Sequence, residues 1–181
     1  MGVLNVTPDS FSDGGLWNDS ERALRHAVEM TESGADLIDI GGESTRPGSA
    51  EVTVEQELER VIPLVESVGR ETGLPISVDT SKPEVMSAAV DAGAAMINDV
   101  FAFQRPGALE AVAALGVPVC IMHMQGTPRD MQKQPEYHDV FGEVLGFLEE
   151  RARICQQAGI ARRHIVIDPG FGFGKTLEHN L

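Results

Sequence analysis

Basic residues are scarce in this chain. Fourteen Lys and Arg stand against 28 Asp and Glu in 181 residues, a formal net charge of −14. Such a surface repels phosphate backbones and anionic lipid, which argues against nucleic acid or a charged membrane as partner. An anionic small molecule stays open if a few arginines converge in one cleft. Long apolar runs are lacking as well: none approaches the roughly 18 residues of a membrane-spanning helix. The N-terminus opens on a strand-like GVLNV instead of a leader pattern. Only two cysteines occur, Cys120 and Cys155, without CxxC spacing. Buried free thiols in a cytoplasmic protein are therefore expected. HExxH, paired Cys/His and GxSxG patterns are missing, which removes the common zinc sites and the hydrolase nucleophile elbow.

What is present is an alternation. Short apolar runs occur at GVLNV (2–6), LIDI (37–40), ISVD (76–79), MIND (96–99), VCIMH (119–123) and IVID (165–168). Helical patterns lie between them, at 19–33, 53–72, 83–92, 107–115 and 137–158. In the second of these, Val54, Leu58, Val61, Ile62, Val65 and Val68 trace a stripe at helical spacing. Gly34, Gly73, Gly93, Gly116 and Gly159 follow the helical patterns as C-caps do. Repeated strand–loop–helix units predict an α/β fold with a parallel sheet, in a single domain spanning 1–181. An open doubly wound sheet and a (β/α)8 barrel both fit. Each run ends at or near a polar residue: Asn5, Asp39, Asp79, Asn98 with Asp99, His123 and Asp168. Six strands delivering polar groups at their carboxyl ends favour the barrel, which gathers all strand ends on one rim.

The stretch IVIDPGFGFGKT (165–176) resembles a phosphate cradle but fails on counting. A Walker A loop would need its first glycine where Pro169 stands, and a dinucleotide fingerprint would need its third where Lys175 stands. The glycines therefore serve close backbone approach, and Lys175 reads as a solvated loop charge. Two other loops, NVTPDSFSDGG (5–15) and GGESTRPGS (41–49), are long and rich in turn formers, as site loops often are. Arg46 offers a fork suited to phosphate oxygens. Asn5 offers an amide oxygen for a hard cation or for its own loop. Asp79, Asn98 and Asp168 suit a ring with a guanidine-like N–H edge. His123 reads as a hydrogen-bonded rim histidine, with base chemistry as the alternative.

These motifs together, MGVLNVTPDSFSDGG, GGESTRPG, SVDTSKPEV, MINDV, VCIMHMQGTP and IDPGFGFGKT, closely resemble the dihydropteroate synthase family of folate biosynthesis. The resemblance implies a TIM-like (β/α)8 barrel, of which this chain would hold about the first six βα units, the last two strands lying outside it. It implies condensation of 6-hydroxymethyl-7,8-dihydropterin diphosphate with p-aminobenzoate. It implies catalytic or pterin-binding roles for Asp79, Asn98 and Asp168, with Met122 as a pterin wall. Thr45, Pro47 and Phe173 would shape the aminobenzoate pocket, and Arg46 would contact diphosphate or the ordered loops. Phe11, Ser12 and Asp13 would close the first loop. Mg2+ would be the cofactor, with Asn5 as ligand. The full-length protein would be a cytoplasmic homodimer inhibited by sulfonamides. A corrinoid-dependent methyltransferase-type pterin domain is the alternative, although its substrate carries no diphosphate to occupy both long loops.

Overall fold

The computed structural model describes residues 1–6, 15–45 and 51–181, with the side chains of 15–19 outside the description. The elements run β1 (Gly2–Asn5), α1 (Gly15–Glu32), β2 (Ile38–Gly41), α2 (Val54–Thr72), β3 (Ile76–Asp79), α3 (Pro83–Asp91), β4 (Met96–Asp99), α4 (Ala108–Leu115), β5 (Val119–Met122), α5 (Val140–Gln157), β6 (Ile165–Asp168) and α6 (Leu177–Asn180). All six predicted strands form, within one residue of the expected limits at each end.

The helix limits have local causes. Thr53 and Gln56 close a reciprocal capping box that starts α2, and Gly73 ends it in the left-handed region at φ 66°. Asp139 accepts from the Gly142 N–H at 3.1 Å, so α5 starts at Val140 and not at Tyr137, where the apolar pattern predicts it. The short α6 was not anticipated; Thr176 caps it by accepting from the His179 N–H at 3.3 Å.

The strands are parallel and ordered β1-β2-β3-β4-β5-β6, each beside its neighbour in the chain. A doubly wound sheet would reverse this order at a switch point. Unbroken succession is the wall of a barrel, here six strands wide. α1 packs on α2, α2 on α3 and α3 on α4, following the strands they connect.

Side chains alternate between two faces of the sheet. On the helix face, Leu4, Ile40, Val78, Ile97 and Val119 are successive register partners, each no more than 1% exposed. They join the buried residues of the helices in one core. One residue further along each strand, Asn5, Gly41, Asp79, Asn98, Cys120 and Val166 form the matching row on the opposite face. Toward the sheet's margins, Val3, Val166 and Ile167 are 53%, 49% and 53% exposed.

Candidate functional site

The row on the second face carries most of the predicted site residues. Asp79 and Asn98 are direct register partners on β3 and β4. Asp168 ends β6 opposite Met122, on the same face. Asn5 and Asp79 flank Gly41: a Cβ placed on that glycine would lie 3.2 Å from Asn5 Oδ1 and 3.9 Å from Asp79 Oδ2. The absent side chain at Gly41 is what lets these two groups share the space above β2.

Asp39 sits on this face two residues below Gly41 and is 3% exposed. Asn98 donates from Nδ2 to its Oδ2 at 3.2 Å, across the small Ser77 of the strand between them. That contact fixes the amide: the Nδ2 side faces Asp39, which leaves Oδ1 to accept from a ligand. Burial raises the Asp39 pKa, and the neighbouring Ser77 hydroxyl and Asn98 amide partly offset the rise.

Asp79 keeps part of its surface open, yet it sits deep in the molecule. Burial first, then the charges of Asp39, Asp99, Glu57 and Glu43, push its pKa well above the usual carboxylate range. A carboxyl so crowded by acids favours a proton, a cation or a row of N–H donors. Cys120 reports the same field. Burial, followed by Asp168, Asp39 and Asp79, lifts its thiol to about 12, so it is an inert wall at neutral pH. Three carboxylates from β2, β3 and β6 thus act on one point of the face.

Not every polar strand end belongs here. Asp99 points to the helix side and builds a turn, accepting from the N–H groups of Phe101 at 2.9 Å and Phe103 at 2.7 Å. Burial lifts its pKa to about 6 despite those bonds. His123 lies beyond β5 and is 6% exposed. Its Nδ1 is 2.9 Å from Lys175 Nζ, so that nitrogen accepts and the proton resides on Nε2. Burial, then the lysine's charge, lower its pKa to about 4. With its lone pair committed, it is a structural acceptor and not a base. Lys175 departs from expectation: it is buried, 6% exposed, and not solvated.

At the rim, Lys82 bridges Glu43, at the stem of the second long loop, and the wholly buried Glu57 of α2, the latter at 2.5 Å. Burial opposes the ammonium charge, but the two carboxylates outweigh it and raise the pKa. A cleft of about 220 Å³ opens beside this cluster, with Thr45, Asp79, Thr80, Phe101 and Arg105 in its walls. Thr45 and Asp79 therefore face one space. Phe173 stands on the loop after β6, its N–H bonded to Gly170 O at 3.0 Å. Arg46, Pro47 and Asp13, with Phe11 and Ser12, lie outside the described residues. Asp39 and Glu57 were not singled out as working residues. The signal for Glu57 was present: it is a charge one turn before Val61, on the buried side of an apolar stripe.

A sequentially ordered parallel sheet with acids and an amide on its bare face defines a barrel-type protein that holds a small polar ligand at its strand ends. Comparison with known proteins narrows this class. The chain belongs to the family described as pterin binding enzyme, which matches residues 1–181. Dihydropteroate synthase of Escherichia coli (strain K12) is 57% identical over 180 residues, covering 99% of this chain and 64% of its own length. The Haemophilus influenzae synthase is 51% identical, with 99% and 66% covered. Among solved structures, the Yersinia pestis dihydropteroate synthase in a sulfonamide drug complex superposes with a TM-score of 0.93 at 54% identity, covering 99% of this chain and 66% of that one. The Xanthomonas albilineans synthase with 4-aminobenzoic acid gives 0.92 at 58% identity, with 99% and 64% covered. The chain thus spans about two thirds or slightly less of the length of these relatives. None of the four supports the corrinoid alternative. Among the described residues, no helix is long and apolar enough to cross a membrane.

Proposed function

We propose that this chain supplies the pterin-holding part of a cytoplasmic dihydropteroate synthase, homodimeric at full length. The enzyme joins p-aminobenzoate to 6-hydroxymethyl-7,8-dihydropterin diphosphate and releases diphosphate. The observation that carries the reading is the convergence of Asp79, Asn98 and Asp168 on one face, with Asp39 orienting the amide. A pterin edge presents N–H donors beside a ring acceptor. The two carboxylates take the donors, and Asn98 offers its carbonyl oxygen to another. Each charge-assisted bond contributes about 1.5–3 kcal/mol. Met122, 4% exposed and opposite Asp168, closes the apolar side.

The same acids suit the reaction. The bond between the exocyclic carbon and the diphosphate oxygen breaks, and its electron pair leaves with diphosphate. Positive charge spreads into the dihydropterin, where the crowded carboxylates stabilise it. The amine of p-aminobenzoate then forms the new C–N bond and releases a proton. Thr45, Pro47 and Phe173 are assigned to the aminobenzoate pocket, Arg46 to the diphosphate, and Asp13 to the loop that excludes water. Holding both partners in line lowers the barrier by as much as about 7–11 kcal/mol.

Asn5 fits a magnesium ligand. It presents a neutral oxygen on an exposed strand end, and Mg2+ commonly keeps several waters while taking its other ligands from a phosphate. No cluster of three or more His, Cys, Asp or Glu competes for the ion among the described residues. Mg2+ held there would offset the negative charge that develops on the departing diphosphate.

The test is an assay of the full gene product carrying this sequence, with both substrates, with and without Mg2+. Mg2+-dependent formation of dihydropteroate and diphosphate is expected, with sulfonamide raising the apparent KM for p-aminobenzoate. No product from a folded protein would overturn the proposal.

A further inference from the structure

Lys175 is buried, and among the described residues no carboxylate lies within ion-pair distance of it. Its ammonium instead touches Gly170 O at 3.0 Å, Phe173 O at 3.1 Å, His123 O at 3.4 Å and His123 Nδ1 at 2.9 Å. Three of these atoms are carbonyl oxygens, which only accept, one more than the two N–H groups of a neutral amine could serve. A neutral amine would aim its own lone pair at one of them, so the site is built for the cation, although burial lowers the lysine's pKa to about 8.

The contacts join two loops that no sheet ladder holds. Carbonyls of the β6–α6 loop receive side-chain donors nearly in succession: Gly170 and Phe173 from Lys175, Gly172 from Gln132, and Gly174 from the Tyr137 hydroxyl at 2.7 Å. The glycines let the backbones close up. A Cβ at Gly170 would stand 2.0 Å from His123 O, and one at Gly174 would stand 2.5 Å from Gln125 O. Contact that tight buries Gly170 and Gly174, and a buried carbonyl without a partner is costly. Lys175 takes the place of water there.

The loop also carries the site. Asp168 Oδ1 accepts from the Gly170 N–H at 2.7 Å, and the Phe173 N–H bonds to Gly170 O. Gly170 thus links the acid at the strand end, the aromatic ring beyond it, and the ammonium.

We propose that Lys175 is a positioning residue: it replaces water as the solvent of the β6–α6 loop and so holds Asp168 and Phe173 in register for the two substrates. The inference rests on the proposed function for the roles of those two residues. Lys175 spends its ammonium on the two loops, so its loss acts on binding geometry more than on the chemical step.

The test compares wild type with Lys175→Met in the full gene product. KM for pterin diphosphate and for p-aminobenzoate are each expected to rise about tenfold, with kcat changed much less, the loss of roughly one charge-assisted bond. Amide exchange at Gly170, Gly172 and Phe173, read without substrate, is expected to accelerate by about the same factor. Lys175→Gln, which keeps an N–H donor, should fall between, and it serves if the methionine variant does not fold. Unchanged KM values, whatever happens to the melting temperature, would reduce Lys175 to a stability role and overturn the inference. Were the wild type to show no synthase turnover, the proposed function would fail alone. The inference would then be judged by the exchange rates and by affinity for free 6-hydroxymethylpterin.

Discussion

Val78 and Asp79 are consecutive residues of β3, and they face opposite ways. Val78 enters a row of aliphatic side chains sealed beneath the helices. Asp79 enters the opposite face, where burial and the charges of nearby acids raise its proton affinity. The first arrangement lowers free energy by removing apolar surface from water, at about 25 cal/mol per Å². The second gathers like charges whose mutual repulsion is relieved when a ligand with N–H donors arrives. The strand period keeps the two apart: a shift of one residue would carry Asp39, Asp79 and Asp168 into the core. Stability and recognition are thus written on alternate residues of the same short strands.

Paired substitutions across that alternation give the largest contrast. Ile97→Ala on the helix face should cost about 2–5 kcal/mol in urea unfolding, through lost burial and a residual cavity. Its neighbour Asn98→Ala should cost under about 1 kcal/mol in stability and weaken pterin diphosphate binding about tenfold. Equal destabilisation by both would break the division of faces. Asp79→Ala sharpens it: affinity for pterin diphosphate, measured by calorimetry, should drop by roughly 10–100-fold. The melting temperature should hold or rise, because one member of an acid cluster is gone. Unchanged affinity would remove Asp79 from the pterin site.

The smallest effect separates the clamped loop from both faces. His123 has a folded pKa of about 4, below its ordinary 6.5. Between those values the unfolded chain binds more protons, so stability rises with pH across that window and is lost as pH falls from 6.5 to 4. A melting series over this range should show the loss, and His123→Gln should flatten the slope. An unaltered slope would mean that other groups govern it.

The strands and most helix limits were legible because they follow from periodicity and caps, which are local. That Asp79, Asn98 and Asp168 gather at one end of the sheet followed from their places on the strands, while the face each takes did not, as Asp99 shows by turning to the helices. Depth was harder to read. Nothing near Lys175 distinguishes a lysine in water from an enclosed one, since the His123 half of its enclosure comes from a loop some fifty residues earlier. The same distance hid the neutral, accepting state of His123. Asp39 stood in view as a polar strand residue, but its bond to Asn98 crosses an intervening strand and depends on the smallness of Ser77.

Gly170 has room for no side chain, because growth of even one carbon there drives it into the His123 backbone oxygen. Drug resistance usually works by reshaping walls, and this junction leaves a mutation nothing to reshape. A compound that leans on the peptide groups between His123 and Gly170 would rest on a part of the protein that evolution has no small step to move.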